Sequence, residues 1–219
     1  MPFCPLPAIF ADDVRRLSGR GVLELGSGDG AMTRLLSDLG ADPVTVDRRP
    51  AAAGCVARIR GDVLAPPLRG GFGVVVAANL LRHVWPAVRH GGPAAWRELV
   101  APGGCLWILE DEPAADPAPA RHYRELQDLL ARLDPSGRQP LLAQAEFVGR
   151  RRCWNWPGVW RDGSDANTWP VDADGVVAWL AAGNAAAGGE VDRLCRAIAD
   201  DGLAYGRAWW ARWQPEEAT

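Results

Sequence analysis

The sequence predicts an α/β fold in which helices flank a mostly parallel β-sheet. Short apolar segments alternate with segments whose apolar residues recur at helical spacing, which indicates consecutive strand–helix units with right-handed crossovers. The first apolar segment also runs directly into a glycine-rich stretch at residues 26–30, Gly-Ser-Gly-Asp-Gly, ahead of a helical pattern. A chain of 219 residues is long enough for one sizeable α/β domain and short for two, so we expect a single domain.

Five strands are predicted in the first half of the chain, at residues 21–25, 43–47, 55–59, 73–78 and 104–109. The fourth is almost entirely apolar, as expected of a parallel strand with both faces covered. Between the first two strands, apolar residues recur at helical spacing from Met32 to Leu39, and Gly40 ends that helix. Residues 80–100 are also helical in pattern, with a break at residues 91–93.

The second half of the chain follows this alternation less regularly. The predicted elements are a Pro/Ala-rich loop at residues 113–119, a helix at residues 123–133, an extended segment at residues 145–161, a helix at residues 171–180 with Asp172 as its N-cap, a helix at residues 191–198 and a terminal strand at residues 204–213. The sequence contains no internal repeat and no disordered linker, which agrees with a single domain.

Composition argues against several classes of function. All 24 basic residues are arginine, which excludes Schiff-base catalysis by a lysine. The net charge is −3 and the densest basic run is Arg150-Arg151-Arg152, which we interpret as solvated arginines at a strand edge. We therefore expect no nucleic-acid partner, because nucleic-acid binders usually carry a broader basic surface.

Cysteine spacing and the N-terminus bear on location. The five cysteines are too far apart for a zinc-ligand pattern, so we predict no metal site and a reducing cytoplasmic environment. The N-terminus has neither the basic nor the apolar region of a signal peptide. No apolar run approaches the roughly 20 residues that span a bilayer, so we expect no membrane partner.

The glycine-rich stretch after the first strand is the feature most informative about function. Glycines allow the backbone to turn sharply and a ligand to approach closely, and a nucleotide-type site is expected where such a turn joins a central strand to a helix. Asp47 ends the second strand, 17 residues after Gly30, where it can accept hydrogen bonds from ribose hydroxyls. Asp62 follows the third strand, where it can accept a hydrogen bond from the exocyclic amine of adenine.

Glu24 indicates which kind of nucleotide binds. It lies two residues before Gly26, and a buried carboxylate needs a partner. An amine-bearing ligand supplies such a partner, whereas a pyrophosphate would be repelled. The glycine spacing is Gly-x-Gly-x-Gly and not the Gly-x-Gly-x-x-Gly of dinucleotide sites. The pattern favours adenosine joined to an amino acid over a nicotinamide dinucleotide.

These segments together resemble class I S-adenosylmethionine-dependent methyltransferases, in the small-molecule group called type 11. Residues 22–30 resemble the family's cofactor motif and residues 61–63 its adenine-contacting segment. Residues 72–84 resemble its fourth strand and following helix, and residues 99–104 the turn into its fifth strand. The resemblance covers residues 20–112, the cofactor-binding half, and is only topological over the acceptor-side half.

The resemblance implies a Rossmann-like fold, with a seven-stranded, mostly parallel sheet in the order 3-2-1-4-5-7-6 and strand 7 antiparallel. It also implies S-adenosyl-L-methionine as the cofactor. The residues it assigns to that cofactor are Glu24, Gly26, Ser27, Gly28, Asp47, Arg48, Asp62, Val63, Asn79 and Leu80. Among them, Glu24 helps to place the amino group and Asp47 holds the ribose. One departure is Gly73, where the family commonly has a structural aspartate.

Methyl transfer requires mainly that the acceptor and the methyl group be aligned, because the leaving group is neutral. His83 is our candidate for a general base, if the acceptor loses a proton; the alternative is a helix histidine bonded to a backbone carbonyl. His122 is a further candidate, whereas Tyr123 fits a core position. The acids at residues 110–112 are candidates to orient a cationic or hydroxylated acceptor.

Tryptophan is concentrated late in the chain, with eight of 11 after residue 150. We predict that Trp154, Trp156 and Trp160, in a segment broken by proline and glycine, border an acceptor cleft suited to an aromatic or cationic small molecule. Packing between helices and sheet is the competing interpretation. Besides a small-molecule O- or N-methyltransferase, the alternatives are a peptide or protein methyltransferase docking on this half, a nicotinamide-dependent reductase and a non-catalytic cofactor-binding module. The oligomeric state is left open.

Overall fold

The computed structural model describes residues 6–49, 57–112, 121–133, 142–165, 170–171, 189–201, 203–204 and 207–216. Its helices are α1 Ala8–Leu17, α2 Ala31–Asp38, α3 Leu81–Val88, α4 Ala94–Leu99, α5 Arg121–Leu133, α6 Gln144–Arg151 and α7 Gly189–Asp201. Its strands are β1 Val22–Leu25, β2 Pro43–Asp47, β3 Ala57–Arg60, β4 Phe72–Ala78, β5 Val100–Glu112, β6 Gly158–Asp165, β7 Pro170–Val171, β8 Leu203–Ala204 and β9 Arg207–Pro215.

Seven of these strands form one sheet in the order β3-β2-β1-β4-β5-β9-β6. Strands β3, β2, β1, β4 and β5 run parallel to one another, whereas β9 is antiparallel to both β5 and β6. Numbered along the chain within this sheet, the order is 3-2-1-4-5-7-6 with the seventh strand antiparallel. The predicted α/β fold and strand order are confirmed. The short strands β7 and β8 pair separately.

The two faces of the sheet are covered by different helices. On one face, α1 and α2 pack against the sheet through residues such as Phe10 and Met32. On the other face, α3, α4 and α6 contribute Trp85, Trp96 and Phe147. Strand β1 lies inside the sheet, between β2 and β4, and all four of its side chains are buried. Its carboxyl end therefore lies well inside one sheet edge, away from the outermost strands. That edge is where ligands bind in open α/β sheets.

The first five predicted strands are confirmed with small shifts at their ends. The third begins at Ala57, and residues 55–56 lie outside the described residues. The fifth extends over Val100–Glu112 and is longer than predicted at both ends: Val100 pairs with Phe72 of β4, and β9 pairs with the strand from Leu106 to its end. The predicted helices at residues 123–133 and 191–198 are confirmed as α5 and α7, which pack against each other.

The prediction of an extended segment at residues 145–161 is wrong over most of its length. Residues 144–151 form α6, a 3-10 turn follows at Arg152–Trp154, and a strand begins only at Gly158. Phe147 is the only buried residue of α6, so the sequence contains no apolar period that would reveal the helix. The arginine run lies at the end of this helix and in the 3-10 turn, not at a strand edge.

Two other predictions fall at the border of the described chain. The helix predicted at residues 171–180 is wrong at its start, because Val171 pairs with Leu203 in the β7–β8 ribbon. The rest of that prediction, residues 172–180 with the proposed N-cap Asp172, lies outside the described residues. The same is true of the loop predicted at residues 113–119. The terminal strand is confirmed as β9. Within the described chain, no helix combines the length and apolar character needed to cross a membrane.

Close packing explains the glycine at position 73, where the family that the sequence resembles commonly has an aspartate. A Cβ atom at this position would lie 2.5 Å from the carbonyl oxygen of Leu17 and 3.0 Å from the Cβ of Arg20. The end of α1 and the turn after it therefore pack directly onto the β4 backbone. No side chain fits there without displacing the backbone of that turn.

A buried ionic cluster attaches α1 to strands β5 and β9. The Asp13 carboxylate accepts hydrogen bonds from Arg212 Nε at 2.6 Å and from Trp107 Nε1 at 3.1 Å. It also accepts one at 2.8 Å from Arg16, whose side chain is largely exposed. Burial acts to raise the pKa of Asp13, but the hydrogen bonds from Arg212 and Arg16 outweigh it and hold the pKa below its usual range. Asp13 is therefore the partner that allows Arg212 to be buried.

We predict that Asp13→Ala lowers the free energy of unfolding by about 3–5 kcal/mol, because it leaves the Arg212 guanidinium buried without its counterion. Arg16→Ala removes the exposed member of the same cluster and is expected to cost less than about 1 kcal/mol. Urea unfolding of the two variants measures both values. Equal losses would show that the buried pair does not carry the stability of the cluster.

Candidate functional site

The turn after β1 is held by Gly26. Its N–H donates to the Val46 carbonyl at 2.7 Å, which bends the chain over the end of β2. Its φ is +73°, a left-handed conformation that favours glycine. A Cβ atom here would also lie 2.7 Å from Leu80 Cδ1. The backbone conformation therefore favours glycine at this position, and a side chain here would also displace Leu80.

Gly28 lies at the top of the same turn and faces open space. Its φ is +49°, and a Cβ atom built on it would meet no atom within 4 Å. Its N–H donates to Asp47 Oδ2 at 2.9 Å. Ser27 beneath it is buried, and the Ser27 carbonyl accepts the Gly30 N–H at 2.7 Å as α2 begins. A ligand can therefore approach the backbone at Gly28 without displacing protein atoms.

Asp47 is fixed at the carboxyl end of β2 and still has acceptor capacity. Oδ2 accepts the Gly28 N–H, and Oδ1 accepts the Arg49 N–H at 2.6 Å. Each carboxylate oxygen has a second lone pair, and the side chain is half-buried. The carboxylate is thus held in one orientation in which it can accept hydrogen bonds from two neighbouring hydroxyl groups.

Asp62 and its neighbours form the next loop along this edge. Asp62 Oδ1 accepts the Leu64 N–H at 3.0 Å, and Oδ2 pairs with Arg48 at 3.2 Å. The Leu64 N–H and then the Arg48 guanidinium keep the pKa of Asp62 below its usual range. Val63 is buried, and its carbonyl accepts the Trp96 indole N–H at 2.7 Å. The loop is therefore anchored to α4, with an ionised carboxylate at its exposed side.

Glu24 is a buried acid on β1, just before the glycine turn. Its exposed fraction is 2%, and its carboxylate accepts a hydrogen bond from the Thr33 hydroxyl in α2. Burial raises the pKa of Glu24 to about 7, and the nearby charges of Asp29 and Asp47 act in the same direction, against Thr33 and Arg34. A cationic ligand close to this group would favour its ionised form.

Asn79 joins the carboxyl ends of β4 and β5. It has a left-handed backbone with φ +50°, which is uncommon for a residue other than glycine and is often found at functional sites. Its N–H donates to the Leu109 carbonyl at 2.7 Å, and its side-chain oxygen accepts the Asp111 N–H at 3.1 Å. The next residue, Leu80, is buried over Gly26. The structure thus places Leu80 against the glycine turn, and Asn79 directly precedes it; their role in holding a cofactor stays a prediction.

Glu110 has a role that sequence reasoning missed. It was expected to orient an acceptor, but its carboxylate instead accepts the backbone N–H groups of Leu81 and Arg82, at 2.5 and 3.4 Å. It therefore caps α3 from the neighbouring strand. The only signal in the sequence is an acid at the end of a strand. Asp111, beside it, lies 3.9 Å from the Arg82 guanidinium, and burial raises its pKa.

The candidate base His83 lies in the first turn of α3, where it is half-buried and its backbone N–H donates to the Leu80 carbonyl at 2.9 Å. Its catalytic role stays a prediction. His122 is half-buried on α5, and Tyr123 is buried, as expected of a core residue. Among the residues that the structure describes, no three His, Cys, Asp or Glu side chains are grouped as a metal would require.

The prediction that Trp154, Trp156 and Trp160 present their rings to a cleft is wrong in its premise. Trp154 and Trp156 are buried in the core, and Trp160 is partly buried against it. Trp154 meets the Phe147 ring edge-on with 5.5 Å between centroids, and Trp156 stacks on Trp160 at 5.9 Å. The rings were expected to be exposed because proline and glycine interrupt the segment, but α6 and β6 fold them inward.

No protein-family model and no curated protein matches the sequence, but solved structures match over almost its whole length. The YcgJ protein from Bacillus subtilis has a TM-score of 0.61 at 16% identity, covering 95% of this chain and 97% of its own. A SAM-dependent methyltransferase from Archaeoglobus fulgidus has a TM-score of 0.51 at 13% identity, covering 94% and 93%. A protein of echinomycin biosynthesis, linked to conversion of a disulfide bond into a thioacetal group, has a TM-score of 0.54 at 18% identity, covering 99% and 84%. With the strand order, these likenesses show that the chain has the Rossmann-like fold of class I methyltransferases.

The raised pKa of Glu24 predicts a pH dependence of folding. The pKa is about 7 in the folded chain against an ordinary value of 4.5, so the folded state binds this proton more tightly than the unfolded state. That contribution to stability is present at low pH and is lost as the pH rises through about 7. Glu24→Gln cannot titrate, so its free energy of unfolding should rise relative to wild type between about pH 5 and about pH 8. Urea unfolding at several pH values measures the free energy of unfolding of both proteins. A difference in that free energy that stays constant with pH would contradict this assignment.

Proposed function

We propose that this protein transfers a methyl group from S-adenosyl-L-methionine to a small-molecule acceptor. The observation that carries the proposal is the open turn at Gly28, whose N–H orients the carboxylate of Asp47 while Glu24 lies buried beneath the start of α2. A ribose, an adenine and an amino acid can each meet a suitable group along this one sheet edge. The methyltransferase fold agrees with that chemistry.

The residues fit the cofactor part by part. We place the ribose hydroxyls on the second lone pairs of Asp47 and the adenine amine near the exposed carboxylate of Asp62. The amino acid would lie over Gly28, where the backbone is open, with its ammonium group toward Glu24. A pyrophosphate in the same place would meet that buried acid instead of a cation, which disfavours the nicotinamide dinucleotide alternative.

When bound, S-adenosyl-L-methionine would supply a methyl group attached to a positively charged sulfur. An acceptor in line with the carbon–sulfur bond would receive the methyl group, and a neutral thioether would be the leaving group. The contribution of the protein to such a reaction is mainly alignment. The Asn79–Leu80 turn, which is hydrogen-bonded to β5, and the glycine turn would fix the methyl donor. We propose His83 as the group that takes a proton from an acceptor hydroxyl or amine, since it lies in the first turn of α3, three residues after Leu80.

We propose a small molecule, methylated on oxygen or nitrogen, as the acceptor. The peptide or protein alternative depended on exposed tryptophans as a docking surface, and Trp154, Trp156, Trp209 and Trp213 are buried. The likeness to a protein of echinomycin biosynthesis supports a place in specialised metabolism. The acceptor would approach from the carboxyl ends of β4 and β5, beyond Asn79.

S-adenosylhomocysteine, the product form of the cofactor, should bind the wild-type protein and raise its melting temperature, because a ligand that binds only the folded state stabilises it. Isothermal calorimetry measures the affinity, and NAD in the same assay is the matched comparison. Binding of NAD without binding of S-adenosylhomocysteine at millimolar concentration would overturn the proposed function.

Asp47→Ala should weaken S-adenosylhomocysteine binding by about 1.5–3 kcal/mol, the range for hydrogen bonds to a charged group. The matched control is Asp42→Ala, since Asp42 is an exposed aspartate that directly precedes the opposite end of the same strand. We expect the control to bind within about 0.5 kcal/mol of wild type, as distant surface changes do. Equal affinities of the two variants would show that Asp47 is not the ribose ligand.

A further inference from the structure

Glu110 is buried at the carboxyl end of β5, with an exposed fraction of 2%. Its Oε1 atom accepts the Leu81 N–H at 2.5 Å and the Arg82 N–H at 3.4 Å. These are the first N–H groups of α3, which have no acceptor within a helix. Leu80, at the N-cap position, contributes no side-chain hydrogen bond. The cap of α3 is therefore supplied across the sheet by a residue 29 positions away in sequence.

The turn that Glu110 caps is the same turn that contacts the cofactor site. Leu80 lies over Gly26 so closely that a Cβ atom there would be 2.7 Å from its Cδ1. Asn79 precedes it in a left-handed conformation. Strand β5 holds this turn at three successive residues: the Leu109 carbonyl accepts from Asn79, Glu110 caps α3, and the Asp111 N–H donates to Asn79.

We propose that Glu110 is a positioning residue for cofactor binding: by capping α3 it holds the Asn79–Leu80 turn against Gly26 and shapes the wall that receives the methionine half of the cofactor. This inference rests on the proposed function. It assigns Glu110 no contact with the ligand and no part in the transfer step. Its effect passes through the backbone of residues 79–82.

The charges around Glu110 agree with a role in holding backbone groups. Burial raises its pKa to about 7 and the charge of Asp111 adds to that rise, whereas Arg82 and the two N–H groups favour the ionised form. The Oε1 atom can accept these N–H groups in either protonation state. An amide oxygen can accept them too, so Glu110→Gln is expected to keep the cap.

The chemistry of the ligand separates this proposal from a purely structural cap. S-adenosylhomocysteine carries both the adenosine and the amino-acid parts, whereas 5′-methylthioadenosine lacks the amino acid. If Glu110 shapes only the methionine wall, its loss weakens binding of the first ligand and spares the second. A general loss of folding would weaken the binding of both ligands to the same extent.

The experiment measures the affinities of both ligands by calorimetry for wild type, Glu110→Ala, Glu110→Gln and Val88→Ala. Val88 is buried at the other end of α3, so Val88→Ala destabilises the same helix away from the turn. We expect Glu110→Ala to weaken the binding of S-adenosylhomocysteine about tenfold, as loss of a helix cap allows. Its affinity for 5′-methylthioadenosine, and both affinities of Glu110→Gln and Val88→Ala, should stay within about twofold of wild type.

Three results would overturn the proposal. The first is that Glu110→Ala binds S-adenosylhomocysteine with wild-type affinity, and the second is that this variant binds both ligands more weakly by the same factor. The third is that Glu110→Gln loses as much affinity for S-adenosylhomocysteine as Glu110→Ala does. If wild type itself does not bind S-adenosylhomocysteine, the proposed function fails and this inference fails with it. If Glu110→Ala does not fold, Glu110→Asp replaces it; its side chain is one methylene shorter, which withdraws the carboxylate from the N–H groups, so we expect the same selective loss.

Discussion

The hydrogen bond from the Gly26 N–H to the Val46 carbonyl is the interaction on which the rest of the site depends. It turns the chain over the end of β2 at a φ that favours glycine. Because of this turn, the Gly28 N–H reaches Asp47 and orients its carboxylate. The missing side chain also leaves the space that Leu80 fills. One backbone contact thus joins the ends of β1, β2 and β4 at a single edge.

Much of this arrangement could be predicted from the sequence, because its signals are local. The glycine run after a buried strand and the acid that ends the second strand both follow from spacing, and Asp47 does contact the Gly28 backbone. Glu24 was predicted to be buried and is. The role of Glu110 could not be predicted, since it depends on the register that pairs β4 with β5 and places residue 110 beside the start of α3.

The tryptophans of the second half show the opposite case, in which the sequence pattern misled. A segment broken by proline and glycine suggested exposed rings, but Trp154 and Trp209 both pack against Phe147, at 5.5 and 4.8 Å between centroids. Aromatic pairs of this kind add about 0.5–1.5 kcal/mol beyond their burial. The rings therefore build the core between α6 and the β6–β9 edge of the sheet.

A crystal structure of the protein with S-adenosylhomocysteine would locate every part of the ligand at once. We expect the ribose hydroxyls within hydrogen-bond distance of Asp47, the amino acid over Gly28 with its ammonium group toward Glu24, and the Asn79–Leu80 turn beside the sulfur. A ligand bound away from the glycine turn, or bound with its adenine beside Asn79 and its amino acid toward Asp62, would contradict the proposed binding site.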